Sequence, residues 1–137
     1  MSVTGFDHAA VPTADAERFL EYYKRLGFTF SNEESWRKGK SKIFSLRVGD
    51  HNMINVHPQG FVADLRGHNA KPGCGDFCFV WDGTIEEVQE MLARAGVEPV
   101  AGPVRRYGGR NGGTQRSKSI YISDPDKNLV EFMVYDE

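Results

Sequence analysis

The chain has 137 residues, enough for one domain with a real core. Its 39% hydrophobic and 26% charged residues exclude a disordered, collagen-like or disulfide-dense chain, and no apolar run is long enough to cross a membrane. A formal net charge of −2 argues against a dedicated nucleic-acid binder. The first residues lack the basic and apolar regions of a signal peptide, so a cytoplasmic location is expected. Cys74 and Cys78 are too few for a disulfide framework and read as ordinary reduced thiols.

Phe6 to Val11 is apolar-rich and closed by Pro12, which predicts a strand. Thr13 is the expected cap of a helix beginning near Ala14, with Asp15 and Glu17 in its first turn. Ala16, Phe19, Leu20, Tyr23 and Leu26 recur at helical spacing, and Gly27 stops the run. Phe28 to Phe30 starts a second strand. Glu33 to Lys42 is polar and reads as a solvated hairpin tip. Ile43 to Val48 and Met53 to His57 predict a third and a fourth strand, the last closed by Pro58.

A connector follows, and then the order begins again. Asp76 to Trp81 predicts a strand. Thr84 with Glu87 forms a capping box for a helix whose apolar face is Ile85, Val88, Leu92 and Ala95, ended by Gly96. Val97 to Val104 reads as a strand interrupted by Pro99 and Pro103, and Arg105 to Lys118 as a loop rich in glycine and arginine. Ser119 to Ser123 and Leu129 to Tyr135 predict the last two strands, joined by the turn Asp124-Pro125-Asp126.

Strand, helix and three strands therefore occur twice. Leu26-Gly27 maps onto Ala95-Gly96, and Asp50-x-Asn52-Met53-Ile54 onto Asp126-x-Asn128-Leu129-Val130. The expected fold class is α+β, built from two paired βαβββ modules in a single domain over 1–137. Module 1 spans 1–60, the connector 61–73 and module 2 74–137.

Strand alternation lets polar residues be tested for a shared face. Asn55 and His57 share one side of a strand, as do Asp76 and Cys78. Glu131 lies between Val130 and Phe132, and a carboxylate inside an apolar strand is costly unless paired, hydrogen-bonded or bound to a cation. His8 and Asp76 hold matching places in the two first strands, as Asn55 and Glu131 do in the two last. Histidine and carboxylate donors of this kind suit divalent zinc, iron, manganese or nickel. The glycine-arginine segment reads as a surface loop, or as a lid whose arginines, Arg105 and Arg110 among them, meet an anionic substrate.

Phe6-Asp7-His8, the run from Phe19 to Phe28, Ile54-Asn55-Val56-His57 and above all the block from Tyr121 to Glu131 carry a resemblance over nearly the whole chain. The sequence resembles the vicinal oxygen chelate superfamily of glyoxalases, bleomycin resistance proteins and extradiol dioxygenases. It is most similar to the small glyoxalase-domain, dioxygenase-like proteins. The resemblance implies a cupped, mixed and antiparallel sheet whose ligands come from the first and last strand of each module. His8 and Glu131 match that pattern. The fourth-strand ligand is Asn55 by the repeat and His57 by the resemblance, which leaves Asn55 a place in substrate binding. Asp76 stands where the family often has histidine. Tyr121, ten residues before Glu131, matches the spacing of a catalytic tyrosine in extradiol dioxygenases.

The function implied is that of a divalent-metal-dependent enzyme acting on a small oxygen-chelating substrate by lyase or isomerase chemistry, with Glu131 moving a proton. The alternatives are an extradiol ring-cleavage dioxygenase and a metal-free binding protein for a small molecule or antibiotic. Neither nucleic acid nor membrane is an expected partner, and the resemblance implies a homodimer.

Overall fold

Val11 is the innermost residue of a short apolar run, and the first strand, β1 (His8–Pro12), forms around it. It begins two residues later than the sequence suggests, because Phe6 lies exposed outside the sheet. The structure, a computed structural model, describes residues 1–136 and divides into two compact units, Met1–Cys74 and Gly75–Glu137.

In the first unit β1 runs parallel to β4 (Asn52–His57). Strand β4 is antiparallel to β3 (Phe44–Val48), and β3 to the two-residue β2 (Phe30–Ser31). Parallel neighbours need a crossover. Helix α1 (Ala16–Arg25) forms part of the connection between β1 and β4. Its cap is Asp15, whose carboxylate accepts the Arg18 N–H at 3.1 Å, and not Thr13 as the sequence suggests. Thr13 instead accepts the Asp15 N–H and shapes the turn before the helix. Phe19, Leu20 and Tyr23 of α1 are buried with Val11, Phe44, Leu46, Ile54 and Val56 of the sheet. Each such side chain contributes about 1.5–3 kcal/mol by leaving water.

The polar run after β2 is not a hairpin tip but a short helix, α2 (Glu33–Arg37). Trp36 packs on Phe44 with ring centroids 5.0 Å apart. Arg37 grips the Glu17 carboxylate of α1 with both Nη atoms at 2.8 Å, and Lys24 bonds Glu33. Charge alone suggested a solvated tip; one tryptophan and an ion-pair cluster hold a helix turn against α1 instead.

The second unit repeats the plan. Strand β5 (Asp76–Val80) is parallel to β8 (Leu129–Tyr135), β8 antiparallel to β7 (Arg116–Ser123), and β7 antiparallel to β6 (Ala101–Tyr107). Helix α3 (Ile85–Ala95) has the expected cap: Thr84 Oγ1 accepts the Glu87 N–H at 3.2 Å, and Gly96 ends it in the left-handed region at φ 71°. Val88 and Leu92 are buried, as are Ile120, Ile122, Val130 and Phe132 of the sheet.

The glycine-arginine segment is shorter than expected. Arg105, Arg106 and Tyr107 pair with Lys118, Ser117 and Arg116, so only 108–115 remain as loop, with a 3-10 turn at Arg110–Gly113. A strand pair exposed this far carries no apolar alternation, so periodicity does not reveal it. The Asp-Pro-Asp turn is a locking element. Asp124 accepts from the Asp126 and Asn128 N–H groups and from Asn128 Nδ2, while Asn128 Oδ1 accepts the Gly75 N–H at 2.7 Å. A Cβ at Gly75 would stand 2.8 Å from that Asn128 oxygen, so glycine is required there.

Candidate functional site

In each sheet the face away from the helix carries the polar residues. His8, Ala10 and Pro12 lie beside Met53, Asn55 and His57 in register, so all three candidate polar residues of the first unit share this face. Ser45, opposite Asn55, donates its hydroxyl to Asn55 Oδ1 at 2.6 Å. The ring Nδ1 of His8 is hydrogen-bonded to Asp7 Oδ1 at 2.7 Å, an arrangement that leaves Nε2 pointing elsewhere for a proton or an ion. His57 sits edge-on to Phe61 at 5.5 Å. Burial, and then the nearby Arg66 charge, lower its pKa and favour the neutral ring. It stands four residues along β4 from the partner of His8, about 13 Å at strand rise. The first unit therefore brings Asn55, not His57, nearest to His8 among the two β4 candidates.

The register of the second unit matches. Asp76 lies opposite Leu129 as His8 lies opposite Met53, and Glu131 takes the place of Asn55. Glu131 is flanked by Cys78 on β5 and Tyr121 on β7. Ser119 Oγ donates to Glu131 Oε2 at 2.5 Å. Burial, the Glu131 carboxylate that it hydrogen-bonds, and Asp76 push the Cys78 thiol up to about 12, so the sulfur keeps its proton at neutral pH. Arg106 Nε donates to the Tyr121 hydroxyl at 2.9 Å, with the guanidinium 5.5 Å above that ring. A cavity of about 400 Å³ opens here, walled by Cys78, Arg106, Gly108, Glu131, Met133 and Tyr135 among others.

Neither of the two arginines singled out from the sequence walls this cavity itself. Arg105 alternates to the opposite face of the sheet and pairs with Asp136 at 3.2 Å. Arg110 stacks 4.1 Å over the Tyr135 ring, which pins the loop tip. Gly108 allows this, since a Cβ there would stand 1.9 Å from the Tyr135 hydroxyl. The sequence reading does not single out Ser45 or Ser119, and takes Arg106 only as one arginine of the glycine-arginine segment. Ser119 was within reach, being two residues from Tyr121 on one strand. Arg106 needed the β6–β7 register.

Histidine nitrogen and carboxylate oxygen are suitable donors for a divalent ion, and the Asp7–His8 contact orients one of them. Within the second unit Asp76 and Glu131 share a face, two residues apart in register. Among the described residues no three of His, Cys, Asp or Glu stand as a cluster able to hold a metal ion. The donor chemistry of these side chains fits such an ion.

Similarity to known proteins runs over nearly the whole chain. The family model described as the Glyoxalase/Bleomycin resistance protein/Dioxygenase superfamily matches residues 5–132. The chain is 31% identical to the glyoxalase domain-containing protein RDO1 of Mycosarcoma maydis, over all of the chain and 72% of that protein. It is 32% identical to the virulence protein STM3117 of Salmonella typhimurium, over 98% of the chain and 87% of that protein. The crystal structure of STM3117 superposes with a TM-score of 0.84, covering 99% of this chain and 100% of the other. A lactoylglutathione lyase from Agrobacterium tumefaciens shares the fold at 18% identity, with a TM-score of 0.67 over 98% of this chain and 96% of that one.

Proposed function

Because the chain belongs to the Glyoxalase/Bleomycin resistance protein/Dioxygenase superfamily, we propose that it is a divalent-metal-dependent enzyme. Its substrate is a small molecule with two neighbouring oxygens, and its chemistry is of the lyase or isomerase kind. The observation that carries this reading is Glu131: a carboxylate at mid-strand, fixed by the Ser119 hydroxyl and the Cys78 thiol, on the wall of a cavity of small-molecule size.

His8, Asp76 and Glu131 are the proposed donors to the ion; the β4 place nearest His8 is that of Asn55, and His57, the further donor that the resemblance implies, stands two residues farther along the strand. When bound, a divalent ion would polarise the substrate oxygens and stabilise the negative charge that develops on them. The chain's own residues do the rest. Glu131 takes a proton from the substrate carbon and returns it, as a general base and then a general acid. Ser119 holds the carboxylate at one orientation through both steps. The Tyr121 hydroxyl accepts from Arg106, so its own hydrogen is directed away from the guanidinium and is available to a substrate oxygen. Cys78 stays a thiol and donates to Glu131; it is not a nucleophile here.

A second reading is a metal-free protein that binds a small molecule in the same cavity of about 400 Å³. Metal analysis of the purified protein separates the two. The enzymatic reading expects bound metal in the wild type and its loss in His8→Ala and Glu131→Gln. A wild type that holds no metal, and whose ligand binding ignores added metal, sinks it.

A further inference from the structure

Arg106 is placed as a binding group would be. It walls the same cavity as Glu131. Its guanidinium is held by the Tyr121 hydroxyl at Nε, by the Arg105 carbonyl at Nη1 (2.9 Å), and by the Tyr121 ring beneath it. These contacts leave the Nη2 edge without a protein acceptor among the described residues. No ion pair to a carboxylate is formed by Arg106 among the described residues, although Glu131 lines the same cavity. A fixed, unneutralised guanidinium presents a planar pair of donors, the shape that a carboxylate matches. Ser117, its register partner, is fully buried on that side of the sheet, and its hydroxyl lacks a hydrogen-bond partner among the described residues. The free Nη2 edge on the cavity wall is open to an acceptor from outside the chain.

We propose that Arg106 is the specificity residue of this site, and that the substrate which Glu131 handles carries a carboxylate bound by the free edge of the Arg106 guanidinium. This rests on the reading of the Glu131 cavity as the substrate site. Arg106 acts on the substrate directly, and also positions Tyr121. Binding on a preset guanidinium costs little ordering, so the carboxylate adds affinity without remodelling the loop.

Three probes test it by calorimetry on the metal-loaded protein: catechol, 3,4-dihydroxybenzoate and benzoate. The first two share a pair of vicinal oxygens, and the last two share a carboxylate. The wild type is expected to bind 3,4-dihydroxybenzoate at least ten-fold more tightly than catechol. Arg106→Gln should remove that preference, bringing the affinities for the two probes together, Arg106→Lys should restore part of it, and Arg105→Gln should keep all of it. Equal wild-type affinity for the two probes overturns the proposal, as does a preference that survives in Arg106→Gln or disappears in Arg105→Gln. Catechol binding that ignores removal of metal counts against the metal-enzyme reading instead. In that event the benzoate arm still decides: its loss in Arg106→Gln upholds the carboxylate site, and unchanged benzoate binding overturns it.

Discussion

Cys78 and Glu131 face each other across β5 and β8, and each explains the other. The thiol donates, the carboxylate accepts, and the sulfur is kept protonated to about 12. Both thiols are exposed, so the raised pKa and not shielding should make Cys78 slower than Cys74 to react with iodoacetamide at pH 8. Glu131→Gln removes the carboxylate charge and should speed labelling of Cys78, read by peptide mass spectrometry. Equal labelling of both cysteines in the wild type would contradict the contact. The same substitution should lower turnover by about 10²–10⁴-fold, the usual worth of a positioned acid–base group, once a substrate is in hand. His57 gives a pH signature of its own. Its folded pKa is lowered, by burial first and Arg66 second, so the unfolded chain takes up the proton first as pH falls through about 6.5. Its contribution to stability is complete above that value and is lost as pH falls towards the folded pKa. Melting curves at pH 7.5 and 5.5 in chelator should show a smaller acid shift for His57→Gln than for wild type.

At the scale of elements, capping and turn chemistry was the most legible part of the sequence. Thr84, Glu87 and Gly96 define α3 as the capping box predicts, and β8 spans Leu129–Tyr135 as its apolar run predicts. Helix α2 was hidden because its stability is not local: it depends on Arg37 reaching back twenty residues to Glu17. Strands β6 and β7 were misjudged for a related reason, since exposed pairing partners need no apolar pattern. The Asp124–Asn128 turn was visible as a motif, but not its role in holding Gly75 at the start of β5. Asn128 is fully buried, so Asn128→Ala should cost about 1–3 kcal/mol by removing the Nδ2 bond to Asp124 and leaving the Gly75 N–H without its acceptor. Urea unfolding measures it, and a cost below a few tenths would mean that the turn is not a lock. Arg37→Ala should cost less, about 0–1 kcal/mol, because its partners Glu17 and Glu33 keep their hydration.

Over the whole molecule, the internal repeat read from the sequence is the plan of the fold. Each unit pairs its first and last strands in parallel and leaves one polar face free. The matching of His8 with Asp76 and of Asn55 with Glu131 is legible from offsets alone and is reproduced in strand register. What the offsets leave open is which β4 side chain accompanies His8, because that depends on distance along the strand. The homodimer implied by family resemblance is expected to elute at twice the chain mass in gel filtration with light scattering, and a monomer would contradict it. No helix among the described residues is long and apolar enough to cross a membrane. The central claim is that these polar faces serve a divalent ion and a small substrate, with Glu131 as the working carboxylate. The most direct test is metal content per chain in natively purified protein. The account predicts a bound divalent ion that Glu131→Gln and His8→Ala both lose; metal-free wild type that gains nothing from added zinc, iron, manganese or nickel would contradict it.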